Sequence, residues 1–147
     1  MSDNASRASG VQATLSLRNE ISELSRVTEF LAAFFGRHGQ PTDLRADCEL
    51  AIEEIFVNVV RYGYPMGGEH QIELMVRLES GVITLVVEDD GMAFNPLEAK
   101  LPDLDLPIEK RAAGGLGIYL VKGVMDELQY ERVGERNRMV MRKRVGQ

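Results

Sequence analysis

Residues 72–87 read IELMVRLESGVITLVV, and this stretch decides the fold. Ile72, Leu74, Val76 and Leu78 recur at a period of two, and Ile83, Leu85 and Val87 do the same, so each run offers one apolar face. Ser80-Gly81 between them is a two-residue connection suited to a tight turn, and the stretch predicts a β-hairpin. A hairpin with one apolar face needs a cover. The residues before it supply one: Leu44, Cys48, Ala51, Ile52, Ile55 and Val59 share a face at helical spacing, from Thr42/Asp43 to the punctuation Gly63-Tyr64-Pro65.

Working outward, Ile21, Leu24, Val27, Leu31 and Phe34/Phe35 predict an earlier helix, with Asn19 as its N-cap and Gly36/Gly39 ending it. Before it, Val11, Ala13, Leu15 and Leu17 alternate as a half-buried strand whose edge offers a pairing surface. Residues 1–10 hold no core candidate and read as a disordered leader to a single domain at 11–147. On the other side, Asp89 to Ala113 breaks all periodicity, and a loop of that length inside a domain is usually functional. Leu116, Tyr119, Leu120, Val124 and Met125 then predict a third helix. Leu128 and Tyr130 begin a strand, Gly134 to Asn137 turns it, and Met139 and Met141 return along a strand ending in Arg142-Lys143-Arg144, read as solvation and protection of an edge. About five strands and three helices predict an α+β two-layer sandwich, a mixed, mainly antiparallel sheet with the helices on one face.

Composition narrows the function. The chain has 147 residues, 44% of them hydrophobic, enough for one core. Seventeen basic against 23 acidic residues give a net charge of −6, which repels polyphosphate backbones and argues against nucleic acid as a partner. No run reaches the ~20 apolar residues of a membrane span, and no secretory signal pattern opens the chain, so a cytoplasmic protein without a membrane partner is expected. Cys48, the single cysteine, sits in a helical apolar pattern and reads as a core residue. With His38 and His70 far apart, no zinc set forms.

Three segments carry polar chemistry. At ~100° per residue, Glu54 and Asn58 fall on one flank of the second helix's apolar stripe, at the rim of the core, with Arg61 near the same line. Glu53 falls further round, toward solvent. Asp89-Asp90-Gly91-Met92-Ala93-Phe94-Asn95-Pro96 ends a hydrophobic strand with a carboxylate able to accept a hydrogen bond from an exocyclic amine, and Gly91 allows another group close to the backbone. Gly114-Gly115-Leu116-Gly117 opens a helix with unobstructed N–H groups at the positive end of its dipole, a favourable place for phosphates. There is no G-x-x-x-x-G-K-[ST] loop, and Leu120 stands where a dinucleotide fingerprint needs its third glycine.

Glu54-x-x-x-Asn58, Asp89-x-Gly91-x-x-Phe94-x-Pro96 and Gly114-Gly115-x-Gly117, in that order, resemble the N, G1 and G2 boxes of the Bergerat-fold (GHKL) ATP-binding family shared by gyrase, the heat-shock chaperone, sensor histidine kinases and mismatch-repair ATPases. The short chain and the run from Gly115 through Glu127 resemble its anti-sigma-factor serine/threonine kinase branch. The resemblance implies ATP and Mg²⁺ as cofactors. It implies Glu54 as general base for the incoming hydroxyl, Asn58 as the metal-holding side chain, and Asp89 as the reader of the adenine amine. Gly91 and Phe94 would border the base, and Gly114, Gly115, Leu116 and Gly117 would grip the phosphates. Residues 97–113 become an ATP lid, with Lys110 or Arg111 reaching the phosphates or the acceptor. Tyr62 stands where many members have histidine.

The implied activity is a partner-switching protein kinase that phosphorylates an anti-sigma-factor antagonist (a STAS-like protein) and sequesters a sigma factor or other regulator, acting as a homodimer. The alternative is a non-catalytic ATP-binding module that orders its lid to present a partner surface. A histidine-kinase catalytic domain fits less well, since neither His38 nor His70 sits on a helical hairpin that would present a phosphoacceptor.

Overall fold

The computed structural model describes residues 10–98 and 115–146. Its elements are β1 (Val11–Arg18), α1 (Leu24–Arg37), α2 (Thr42–Tyr62), β2 (Gln71–Glu79), β3 (Val82–Asp89), α3 (Gly115–Val124), β4 (Glu127–Val133) and β5 (Arg136–Arg144), with single 3-10 turns at Ile21–Glu23 and Pro96–Glu98. The expected hairpin is β2 and β3, joined by Ser80 at φ 51° and Gly81 at φ 76°, the two positive values of a twist-matched tight turn.

The strands form one sheet in the order β1-β2-β3-β5-β4. Every pairing among the described residues is antiparallel, which corrects the expectation of a mixed sheet. The physical reason is the connection through α3. It carries the chain past one strand position, and β5 then folds back into the gap between β3 and β4, so those two share a direction without touching. It also places β5 inside the sheet. The basic run at its end is therefore not edge protection: Arg142 pairs with Glu127, and Lys143 reaches Asp47 and the Val124 carbonyl.

One face of the sheet carries the core. Leu15, Leu74, Val87, Met139 and Tyr130 lie in register as an inward row crossing all five strands. Helices α1 to α3 cover that face with Val27, Leu31, Phe35, Ile52, Ile55, Phe56, Ile118 and Val121. Cys48 is fully buried among them, and burial pushes its thiol up to about 12, as expected of a core cysteine. The second face is mixed: Met75, Val86 and Val140 form a central apolar row, flanked by charged residues among which Glu88 bridges Arg136 and Arg138.

Four local expectations are corrected. Asn19 does not cap a helix; its side chain accepts from the His70 N–H at 3.0 Å and donates to the Gly68 carbonyl at 3.1 Å, tying β1 to the loop before β2. In α3 the buried residues are Ile118 and Val121, with Met125 buried just past its end, whereas Tyr119 and Leu120 are exposed; residues 118–121 are all apolar, so spacing alone does not fix the phase. Asn137 belongs to β5 rather than the turn. Glu53 is half-buried rather than turned to solvent; burial, then the charges of Glu49 and Glu54, raise its carboxyl. None of the described helices is long and apolar enough to cross a membrane.

Candidate functional site

The inward rows of the sheet are apolar until its end. There the next row is Asp89, Asn137 and Arg132, one residue from each of β3, β5 and β4. A polar row in an inward phase needs its hydrogen bonds supplied from within. Asp89 Oδ1 accepts from the Gly91 N–H at 2.8 Å and from Asn137 Nδ2 at 2.9 Å. Asn137 Nδ2 also donates to the Met92 carbonyl at 2.9 Å, and its Oδ1 accepts from Tyr130 Oη at 2.5 Å, Arg132 at 3.1 Å and the Phe94 N–H at 3.4 Å. Arg132 completes the tie by donating to the Gly91 carbonyl at 2.8 Å. The turn after β3 is thus held by the β4–β5 hairpin.

Asp89 is 2% exposed. Burial pushes its carboxyl above the usual range, while the Asn137 and Gly91 hydrogen bonds and the Arg132 charge pull against that. With Oδ1 doubly engaged, Oδ2 takes no hydrogen bond from the described residues, and it is the oxygen available to a ligand donor. Asp89, Asn58, Ile55, Met92, Phe94 and Asn137 are among the residues lining a cavity of about 20 Å³, room for one water and not for a heterocyclic base. Its apolar walls from α2 and the sheet are core residues. The walls free to shift are Met92, 53% exposed, and Phe94, whose ring lies 5.7 Å from that of Tyr62 on the last turn of α2.

Helix α2 supplies the other groups. Asn58, 6% exposed, faces this cavity, and Glu54 lies one turn earlier. The Glu54 carboxylate packs against Gly117 on the first turn of α3: a Cβ built there would collide with Oε2 and approach Cδ to 3.0 Å. At the far end of α2, a Cβ on Gly91 would meet the Gly63 carbonyl at 2.6 Å, and the Met92 N–H donates to that same oxygen at 2.8 Å. The group that approaches Gly91 closely is therefore the backbone at the end of α2. Glu54 to Gly63 spans nine residues, about 13 Å of helix axis, so one rigid element sets the distance between the glycine-opened helix and the Asp89 turn.

The structure brings together Glu54, Asn58, Asp89, Gly91, Phe94 and Gly117. Gly115 starts α3 with Leu116 behind it. Gly114, Arg111, Lys110 and the expected lid beyond Glu98 lie outside the described residues, as do residues 1–9 of the expected leader. Arg61 is exposed. Sequence reasoning missed Asn137, Arg132 and Tyr130. The available signal was phase, since Asn137 precedes Met139 and Met141 by two and four residues and must point inward with them if the turn is only Gly134-Glu135. Among the described residues no group of three or more acidic, histidine or cysteine side chains is placed to hold a metal ion.

Comparison with known proteins places the chain in a family. The histidine kinase-like ATPase domain family matches residues 17–143. The chain is 32% identical over 104 residues to a protein of Bacillus mycoides (strain KBAB4) named serine-protein kinase RsbW, an alignment covering 67% of this chain and 64% of that one. It is 27% identical over 116 residues to the anti-sigma F factor of Geobacillus stearothermophilus, covering 79% and 78%. The chain thus spans a little under two thirds of the first relative's length. Among solved structures, that of the RsbU and RsbW domains of a Mycobacterium tuberculosis protein superposes with a TM-score of 0.66 at 17% identity, over 92% of this chain and 32% of that one, a likeness of fold.

Proposed function

The chain belongs to the histidine kinase-like ATPase domain family, and from that premise we propose that it is an ATP-dependent serine/threonine protein kinase of a partner-switching system. Its acceptor would be an anti-sigma-factor antagonist of STAS-like type, and it would alternately hold a sigma factor or another regulator. One observation carries the reading. On α2 the Glu54 carboxylate sits against the first turn of the glycine-opened helix, and one turn further Asn58 faces the cavity that ends at Asp89.

The residues present fit the nucleotide. Asp89 Oδ2 is a buried acceptor with its partner oxygen already engaged, suited to the exocyclic amine of adenine. Gly91 is fixed by α2, so the turn bearing Asp89 keeps its aim. Met92 and Phe94 must swing outward for the base to enter, and Tyr62 gives Phe94 an aromatic surface to slide against. The N–H groups opening α3, with that of Gly114, suit the phosphates. Lys110 and Arg111 are the candidate phosphate or acceptor contacts from the lid. Asn58 offers a single hard oxygen, which suits an ion such as Mg²⁺ held mainly by phosphates and water. Such an ion, when bound, would supply charge stabilisation to the phosphates. Glu54 would accept the acceptor's hydroxyl proton, and the first turn of α3 behind it keeps the carboxylate from turning away. A homodimer through the β1 edge and a cytoplasmic setting complete the reading.

The test is ATP titration with Mg²⁺ by calorimetry, followed by transfer to candidate antagonist proteins. Acid-stable label on serine or threonine is expected. Glu54→Gln is expected to cut transfer at least ~100-fold while ATP binding is retained. Partner capture that needs ATP but ignores Glu54→Gln, with no label transferred, would replace the kinase with a non-catalytic ATP-dependent binding module.

A further inference from the structure

Asp89 has a neighbour that the nucleotide reading does not use. Asp90 points away from the cavity and is clamped by two residues of the α2–β2 connection: Tyr64 Oη donates to its Oδ1 at 3.0 Å, and His70 Nδ1 lies 3.2 Å from its Oδ2. The Tyr64 and His70 rings stack at 4.3 Å with 20° between their planes, so the two donors form one unit. His70 is itself fixed through its backbone, its N–H donating to Asn19 Oδ1 and its carbonyl accepting from the Asn19 N–H at 3.1 Å. The clamp thus joins the end of β1, the connection after α2, and the turn that carries Asp89 and Gly91.

We propose that Tyr64 and His70 are positioning residues that act through Asp90 to hold the adenine-reading turn, and that protonation of His70 tightens this hold. The inference rests on the nucleotide reading above and adds to it a control on affinity. The geometry explains why it would matter. The same turn is tied to α2 by the bond from the Met92 N–H to the Gly63 carbonyl, one residue before Tyr64, so the clamp and that bond close one ring of contacts. If the clamp slackens, the turn beside Asp89 loses one of its restraints while Asn137 still bonds Asp89 Oδ1, so the expected effect on affinity is modest.

The charges around the pair are few. His70 shares a surface cleft with Arg18 and Glu20 from the end of β1, Glu69 beside it, and Asp90. Asp90 also faces Tyr64 and adjoins Asp89. Burial opposes ionisation of Asp90, but the His70 and Tyr64 hydrogen bonds and the His70 charge hold its carboxyl below the usual range. An ion pair replaces a neutral hydrogen bond when the imidazole is protonated, and charge-assisted bonds are the stronger kind. Both side chains are about a third or more exposed, 32% and 44%, so solvent screens the gain.

The experiment measures the dissociation constant of Mg²⁺-ATP from pH 5.5 to 8.5 for the wild-type chain, His70→Gln, Tyr64→Phe and Asp90→Asn. The ratio of each variant to wild type cancels the nucleotide's own titration. The His70→Gln ratio is expected to be about two- to threefold at the acid end of the series and to fall toward one at its alkaline end. Asp90→Asn should behave likewise, and Tyr64→Phe should weaken binding by a similar factor at every pH. In parallel, hydrogen exchange at the Met92 amide of nucleotide-free protein, corrected for the intrinsic rate, should lose protection as pH rises in the wild type but not in His70→Gln. Flat ratios with unchanged Met92 protection overturn the clamp. Absence of ATP binding with the Met92 response intact overturns the nucleotide reading and leaves the clamp standing.

Discussion

Gly117→Ala tests the centre of the kinase reading. The added methyl falls on Glu54 Oε2 and comes within 3.0 Å of Cδ and 3.6 Å of Cγ, so the carboxylate must leave its seat. Backbone conformation offers no excuse, because Gly117 lies in α3 without a positive φ. Alanine in a helix interior is favoured over glycine by about 0.8–1 kcal/mol, somewhat less in a first turn, so stability should hold or rise. The obstructing atoms are the far end of a flexible side chain, and turning it aside costs about 0.5–1.5 kcal/mol. The larger effect is on chemistry. Displacing a catalytic group by about 1 Å costs on the order of 100-fold, or about 2.7 kcal/mol of barrier. The expected variant melts no lower than wild type, binds Mg²⁺-ATP within about threefold, and turns ATP over about 100-fold more slowly. Phosphate release with and without a candidate acceptor provides the assay. Glu54→Asp, whose shorter side chain clears the methyl, should restore part of the loss in the double variant, giving a coupling above about 1 kcal/mol. Turnover within twofold of wild type at unchanged affinity would refute the assignment of Glu54 as base. A drop in melting temperature of several degrees would show that the backbone, not the carboxylate, took up the collision.

Asp89→Asn should weaken ATP by about 100-fold, because an amide nitrogen turned toward the adenine amine leaves two buried donors facing each other; calorimetry showing equal affinity would remove Asp89 from base recognition. Asn137→Ala strips partners from Asp89, Tyr130, Arg132 and two backbone groups at once, and should cost about 2–3 kcal/mol in urea denaturation; a loss below about 0.5 kcal/mol would mean that water replaces it. Glu23 ends the turn before α1 and accepts from the Arg18 N–H at 2.9 Å and from Arg26 at 2.8 Å. The Arg18 backbone bond leads the causes that hold its carboxyl below 4.5, so its stabilisation is full above the unfolded pKa and disappears as pH falls through the lower folded one. Glu23→Gln should therefore cost about 1 kcal/mol at pH 7 and progressively less below pH 4.5; an equal cost at both ends of that range would contradict the linkage.

The sheet's hairpin and the central helix were legible because each has a single period: alternation in Ile72–Leu78 and Ile83–Val87, and a clean stripe from Leu44 to Val59. Helix α3 was legible as a helix but not in phase, since Ile118 to Val121 are apolar on every side and only packing against α2 selects Ile118 and Val121. Strand order was not legible at all. Nothing local in Arg136–Arg144 says that β5 enters between β3 and β4, and that insertion is what sets Asn137 beside Asp89. The motif residues Glu54, Asn58, Asp89 and Gly91 were readable from spacing. Of their supports, Arg132 and Asn137 are paired strand residues whose inward phase depends on where the turn ends, and Tyr64 and His70 come from a loop, where composition carries no period to betray them.

The glycines of the two motif segments acquire a different meaning in the folded chain. From sequence, Gly91 and Gly117 read as openings for a nucleotide. In the structure each is a place where a side chain would strike α2: the Gly63 carbonyl at one end, the Glu54 carboxylate at the other. Both segments are therefore gauged against the same helix, and a ligand spanning them would be measured by α2 rather than by either loop. That arrangement ties recognition to chemistry. A rigid helix of fixed rise cannot let the Asp89 turn shift along its axis without altering the distance to Glu54, so a ligand whose base is misplaced presents its far end wrongly to the carboxylate. Discrimination at Asp89 should then be seen in turnover as well as in affinity, and nucleotides with an altered base should lose more in turnover than their binding accounts for.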